Sequence, residues 1–265
     1  MILITGASGQ LASLVTTMAK EAGLHILTAS RATNADRQMD FDEPETLDFK
    51  DIDTLFLTSA GYAEDDTVIR RHGNVIAAAR NQGVIHVVYT SLSCASDHLG
   101  FALAHRWTER ALRESGMTWT ILRNGLYAEL IGALAAPNNG RITAPFGTAG
   151  ISAVARADLA KAAVSVLSNA TVHAKMSYEL SGVTSFTLPE LAKRMGVHYE
   201  PTSFEIERDR LNTLKLLPFQ PPMLMSIYAA AMAGFLETDT SDLKKLVPYP
   251  NDALAIASTV AKQVT

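Results

Sequence analysis

The strongest chemical signal in the chain is Thr5-Gly6-Ala7-Ser8-Gly9-Gln10-Leu11-Ala12. Two glycines three residues apart, followed by a small Ala12, leave backbone amides uncovered. Gly6 permits a tight turn, and Gly9 lets the main chain approach a phosphate closely. The exposed N–H groups of a helix start suit such an anion. An ordinary strand-to-helix turn has the same spacing. Arg31, with Arg37 behind it, is a second candidate, because a guanidinium forks onto phosphate oxygens; a solvated surface arginine is the alternative. His105, Asn124 and Tyr127 are neutral hydrogen-bonding groups able to orient a ligand, or a packed histidine, a loop asparagine and a half-buried tyrosine. Glu109, one helical turn after His105, reads as a tethering or helix-face carboxylate. His72 and His86 read as structural and Cys94 as inert. No His, Cys or Asp cluster has metal-ligand spacing, so no metal is expected.

These residues fall on a recurring layout. Met1 to Ile4 is a strand, then come the glycine turn and a helix over 13–22, the arrangement of a dinucleotide-binding first unit. Leu24 to Ala29 is a second strand ending in Ser30-Arg31. That end meets the adenosine ribose, where an acid binds a free 2′-hydroxyl and a base accommodates a 2′-phosphate. Arg31 therefore predicts NADPH. Arg37 to Asp42 is a very short third strand, reached by a link so brief that the usual crossover helix must be reduced or missing. Asp40 and Phe41 fall where adenine contact is expected, although Asp42-Glu43-Pro44-Glu45 can equally cap the next helix. Thr54 to Ser59 is a buried strand, and Thr58, Ser59, Ala60 and Gly61 stand at its carboxyl end, where small residues can pass the cofactor backbone or form a plain loop. A helix over 68–82 and a strand over 84–89 follow, placing Thr90 and Ser91 near the nicotinamide. A helix over 101–115 and the strand Thr118 to Leu122 complete six β units.

The fold class is α/β, a doubly wound parallel sheet (Rossmann fold) with a smaller, interleaved, mostly helical C-terminal lobe. Residues 1–125 form the dinucleotide-binding domain, also receiving 150–182; residues 126–149 and 183–265 form the substrate-side lobe. Thr187-Leu188-Pro189-Glu190 opens a capped helix. Met223 to Leu236 is apolar but short for a membrane span, and it carries Met223, Met225, Tyr228, Met232 and Phe235. It can roof an aromatic ligand, sit in the core or form a homodimer interface. The chain has 265 residues, a net charge of −4 and one cysteine. That balance gives no nucleic-acid footprint and fits a reducing compartment. Opening directly on a strand leaves no signal peptide in view. The expectation is a cytoplasmic protein with no membrane or nucleic-acid partner.

Further stretches carry a family resemblance: Arg71-His72-Gly73-Asn74-Val75-Ile76-Ala77-Ala78-Ala79-Arg80, Tyr89-Thr90-Ser91-Leu92, His105 through Glu109, Leu122-Arg123-Asn124-Gly125-Leu126-Tyr127 and Arg156-Ala157-Asp158-Leu159-Ala160. With the glycine turn and Arg31, they make the chain resemble the NmrA-like atypical short-chain dehydrogenase/reductases. Within that family it is most similar to the type 2 quinone oxidoreductases and triphenylmethane reductases. The resemblance implies NADPH in a Rossmann lobe and a small lobe closing over an aromatic acceptor. Ala12 in place of the usual third glycine and a shorter 31–40 segment depart from the pattern.

Ketone-reducing short-chain dehydrogenases use a Tyr-x-x-x-Lys pair, and the corresponding positions here are Phe101 and His105. Phe101 has no proton to give. Hydride addition to a ketone makes a basic alkoxide that needs a general acid; a quinone yields a delocalised phenolate that solvent can protonate. The resemblance thus implies an NADPH-dependent reductase of a quinone or related conjugated aromatic, with His105, Asn124 and Tyr127 in positioning roles. The alternative is a non-enzymatic NADP-binding redox sensor of NmrA type.

Overall fold

The computed structural model describes residues 1–60 and 62–264; Gly61, expected beside the cofactor, lies outside the described residues. In chain order the elements are β1 (Ile2–Thr5), α1 (Gln10–Glu21), β2 (Ile26–Ser30), β3 (Arg37–Gln38), β4 (Thr54–Leu57), α2 (Asp65–Asn81), β5 (His86–Leu92), α3 (Ala102–Glu114) and β6 (Thr118–Asn124). Then follow α4 (Ala128–Leu134), β7 (Arg141–Ile142), α5 (Arg156–Ser168), β8 (Met176–Leu180), α6 (Leu188–Met195), β9 (His198–Tyr199), α7 (Phe204–Thr213), α8 (Gln220–Met232), α9 (Leu243–Leu246) and α10 (Ala253–Gln263).

Seven strands form the main sheet in the order β3-β2-β1-β4-β5-β6-β8. β1 pairs in parallel with β2 on one side and β4 on the other. The strand order reverses there, which is where open α/β sheets leave a ligand crevice at the carboxyl ends. Leu3 and Ile4 are both fully buried although they point to opposite faces, as expected for a sheet covered on both sides. One face of the core gathers Leu3, Phe49, Leu55, Val75, Val87 and Leu112. Each such side chain contributes about 1.5–3 kcal/mol through burial.

The β2–β3 link is the least regular part of the sheet. A parallel connection ordinarily needs a dozen or more residues, yet Arg37 already pairs with Ala29. Asp36 makes this turn workable. Its carboxylate accepts from Thr28 N at 2.8 Å and from Thr28 Oγ1 at 2.7 Å, which folds the loop back onto β2. β3 then stops at Gln38, leaving Asp40 and Phe41 in the loop beyond it.

Two compact units result: Met1–Leu92, Leu103–Arg123 and Leu159–Tyr178 make the first; Ser93–Ala102, Asn124–Asp158 and Glu179–Thr265 make the second. In the second, α6 carries a complete capping box between Thr187 and Glu190, as the Thr-x-x-Glu spacing predicts, and it ends on left-handed Gly196. α4 and α10 touch at Gly132, where an added Cβ would lie 2.4 Å from Ala257 O. Buried Asp158 accepts two 2.6 Å hydrogen bonds from Asn251. The apolar 223–236 stretch divides its residues: Tyr228 in α8 is fully buried, whereas Met232 at the end of α8 and Phe235 in the turn after it are nearly half exposed. Among the described residues no helix is long and apolar enough to cross a membrane.

Candidate functional site

The glycine turn is built as its sequence requires. Gly6 has φ +64, a left-handed backbone that β-carbon-bearing residues rarely adopt. Gly9 caps α1, and no side chain caps that helix start. The first-turn N–H groups of α1 are therefore left for an anion. A Cβ on Gly9 would come within 3.1 Å of Gly6 O. Thr5 sits below the turn rather than in it. Its hydroxyl donates to Phe56 O at 3.0 Å and accepts from Thr58 N at 3.1 Å, while Thr58 Oγ1 donates back to Thr5 O. These two threonines lock the ends of β1 and β4 together, so their hydroxyls are committed to the fold. Ser8 and Gln10 are exposed at the turn, and Leu11 is buried beneath it.

The two arginines after β2 separate cleanly. Arg31 is exposed and takes part in no ion pair among the described residues. Arg37 donates to Asp48 O at 2.7 Å and Lys50 O at 2.6 Å, which spends its guanidinium on the chain. Asp40 accepts from Asp42 N at 2.9 Å. The loop holding Asp40 and Phe41 is fixed by α2: Arg71 Nη2 meets Asp42 at 2.7 Å, and Asn74 Nδ2 donates to Phe41 O at 2.9 Å. The Arg71 guanidinium holds the Asp42 carboxyl below its ordinary range, which burial alone would raise.

β5 runs further than its sequence suggests, to Leu92, so Thr90 and Ser91 lie within the strand and are buried. Strand alternation sends them opposite ways. Thr90 Oγ1 accepts from Ser59 N at 3.0 Å and steadies the loop after β4. Ser91 Oγ donates to buried Glu109 at 2.7 Å, which withdraws its hydroxyl from the expected nicotinamide contact. Glu109 also receives Arg106, Arg113 and Arg123. Burial pushes its carboxyl up, but Arg123 and Ser91 outweigh that and bring it down to about 2. Sequence spacing shows Glu109 one turn from His105 without showing these partners.

His105 hydrogen-bonds through Nδ1 to Tyr89 Oη at 2.9 Å. Burial and nearby Arg106 lower its pKa to about 4, so the ring is neutral at neutral pH. Burial raises the Tyr89 hydroxyl, keeping it protonated. In the second unit, Asn124 ends β6 with 5% exposure, and its Oδ1 has no hydrogen-bond partner. Such a buried acceptor is costly unless a ligand satisfies it. Tyr127 lies under the Arg156 guanidinium, 4.7 Å from the ring centroid, and burial raises its phenol. Among the described residues no His, Cys, Asp or Glu group is arranged to hold a metal ion.

An open parallel sheet with an uncapped, glycine-led first helix and a free cationic side chain past β2 defines a dinucleotide-binding Rossmann protein. Residues 6–170 match the NAD(P)H-binding family. Quinone oxidoreductase 2 of Escherichia coli strain K12 is 34% identical over 280 residues, 96% of this chain and 96% of its own. The triphenylmethane reductase of Citrobacter sp., solved with NADP(H), shares 28% identity at a TM-score of 0.89, over 98% of this chain and 99% of that one. The NADPH-dependent quinone oxidoreductase of Escherichia coli, solved with NADPH, shares 32% identity at a TM-score of 0.87, again over 98% and 99%. The chain belongs to the NAD(P)H-binding family, among the NmrA-like atypical short-chain dehydrogenase/reductases, and is an NAD(P)H-dependent oxidoreductase.

Proposed function

We propose that the protein reduces a quinone or a related conjugated aromatic acceptor with NADPH and supplies no proton of its own. The observation that carries this reading is the state of His105. Its Nδ1 is bonded to Tyr89, and the ring is neutral at neutral pH. The position four residues earlier is Phe101, which has no exchangeable proton. A group with a pKa near 4 is a poor general acid at pH 7.

The residues present fit the cofactor. At the α1 N-terminus Ser8, Gln10 and Leu11 would meet the pyrophosphate through main-chain amides, while Gly6 and Gly9, whose own N–H is given to Gly6 O, keep the approach free of side chains. Arg31 takes a 2′-phosphate, Asp40 and Phe41 border the adenine, and Asn124 Oδ1 accepts from a carboxamide. Thr5, Thr58, Thr90 and Ser91 act by shaping the strand ends, and Ser59 and Ala60 pass the cofactor backbone. When bound, NADPH supplies a hydride. Tyr127 orients the acceptor, and His105 offers a neutral hydrogen bond to the ribose. One hydride and one solvent proton convert a quinone to its hydroquinone, so no side chain need lose a proton. Positioning alone then carries the rate.

The test is NADPH oxidation followed by its absorbance with a benzoquinone, a naphthoquinone, a triphenylmethane dye and a simple ketone. Turnover with the conjugated acceptors and none with the ketone is expected. Equal turnover with the ketone, or silence across the panel despite tight NADP binding, contradicts the proposal.

A further inference from the structure

His72 is fully buried on α2 and is bonded at both ring nitrogens. Ala60 N donates to its Nε2 at 2.9 Å. Its Nδ1 lies 2.8 Å from Thr108 Oγ1, and Thr108 Oγ1 donates to Ala104 O at 2.7 Å. A backbone N–H can only donate and a backbone carbonyl can only accept. With Nε2 already accepting, a neutral ring carries its proton on Nδ1. Thr108 accepts that proton's hydrogen bond and passes its own to Ala104. The relay runs in one direction, in one tautomer, from the loop after β4 to the first turns of α3.

We propose that His72 is a positioning residue for the cofactor, fixing the Ser59–Ala60 loop against α3 before any ligand arrives. The inference rests on the reading that the cofactor passes this loop. It also limits the contact there. Ser59 N is already given to Thr90 and Ala60 N to His72, so neither amide is available to a phosphate. The loop therefore meets an uncharged part of the dinucleotide, a ribose or ring face, while the glycine turn takes the phosphates.

Two readouts test this in the full chain. The first is side-chain 15N NMR of the histidines without cofactor, with His72 assigned by its loss in His72→Gln. The expected spectrum shows a protonated Nδ1 and an unprotonated Nε2; the opposite tautomer overturns the relay. The second is NADP+ affinity by calorimetry, alongside steady-state kinetics. Thr108→Val, which keeps the shape and removes the hydroxyl, should weaken binding by about tenfold, the worth of one buried hydrogen bond. Saturated kcat should stay within about twofold of wild type, because uniform binding is lost rather than transition-state binding. His72→Leu should weaken binding at least as much, and His72→Gln, whose amide both accepts and donates, should recover part of the loss. Adding Thr108→Val to His72→Leu should cost nothing more, since the two remove one relay. Wild-type affinity in both Thr108→Val and His72→Leu overturns the proposal. A wild-type chain that shows the expected tautomer yet binds no NADP+ overturns the cofactor reading, and this proposal with it.

Discussion

Arg123 forks onto Glu109, with Nη2 2.6 Å from Oε2 and Nε 2.9 Å from Oε1. The pair ties β6 to α3, and Ser91 brings β5 onto the same carboxylate. A bidentate pair of this kind fixes geometry as well as charge. With 1% of Glu109 exposed, solvent screens little of it. Glu109→Ala removes the carboxylate that three guanidiniums and a buried hydroxyl share. The expected loss is about 3–5 kcal/mol in urea unfolding, the usual cost of removing one partner of a buried pair. A loss below about 1 kcal/mol would show that the network holds nothing together.

Tyr89 is the support for His105, through the 2.9 Å bond to Nδ1. Tyr89→Phe leaves that nitrogen without its partner, at a cost of about 1–3 kcal/mol. A histidine that touches cofactor should also lose its setting, so KM for NADPH rises several-fold while the fold survives. Unchanged kinetics in a destabilised Tyr89→Phe would place His105 among the packing residues.

Arg31 and Arg37 make a matched pair of controls. Arg31 is exposed and unpaired among the described residues, whereas Arg37 holds two carbonyls of the 48–50 segment. Arg31→Ala should raise KM for NADPH by about tenfold or more and leave NADH unchanged, as loss of one charge-assisted contact predicts. Arg37→Ala should lower stability and change both cofactors equally. Equal losses for NADPH and NADH in Arg31→Ala would remove its 2′-phosphate role.

Acid should unfold the protein earlier than its carboxylates require. Burial lowers His72 to about 3 and His105 to about 4, below the ordinary 6.5. The unfolded chain then binds more protons between those values and 6.5. Stability is full above pH 6.5 and falls as pH drops toward 4, by about 1.4 kcal/mol per pH unit for each ring. Glu109 adds its own loss only lower, as pH falls from 4.5 toward about 2. Melting temperatures should decline from pH 6.5 downward, and less steeply in His72→Gln. A flat profile down to pH 4.5 would contradict the burial of the two rings.

The sequence made some of this legible and concealed the rest. A left-handed glycine at Gly6 and the Thr187–Glu190 box are local features, written within a few residues, and both stand as their spacing predicts. That the crossover helix after Arg31 must be reduced or missing was also readable from length. What replaces it was not, because Asp36 reaches back to Thr28 through a turn with no periodicity to mark it. The Ser91–Glu109 bond was hidden for a related reason: with three more residues at the end of β5, alternation turns that hydroxyl to α3. Two arginines six residues apart look alike until one is seen spent on carbonyls. His72 reads as structural from its sequence, and its burial agrees; its partner Ala60 lies on another loop, where no pattern could show it.

The central claim is hydride transfer without a protein acid, and a single-turnover pH profile tests it directly. NADPH oxidation by excess enzyme and a naphthoquinone should be flat from pH 5 to 9. His105 titrates near 4, and burial moves Tyr89 and Tyr127 above the ordinary tyrosine value, so none of the three changes charge in that window. A rate that falls with a defined pKa inside the window, and a solvent isotope effect on the same limb, would reveal a protein proton donor and contradict the account.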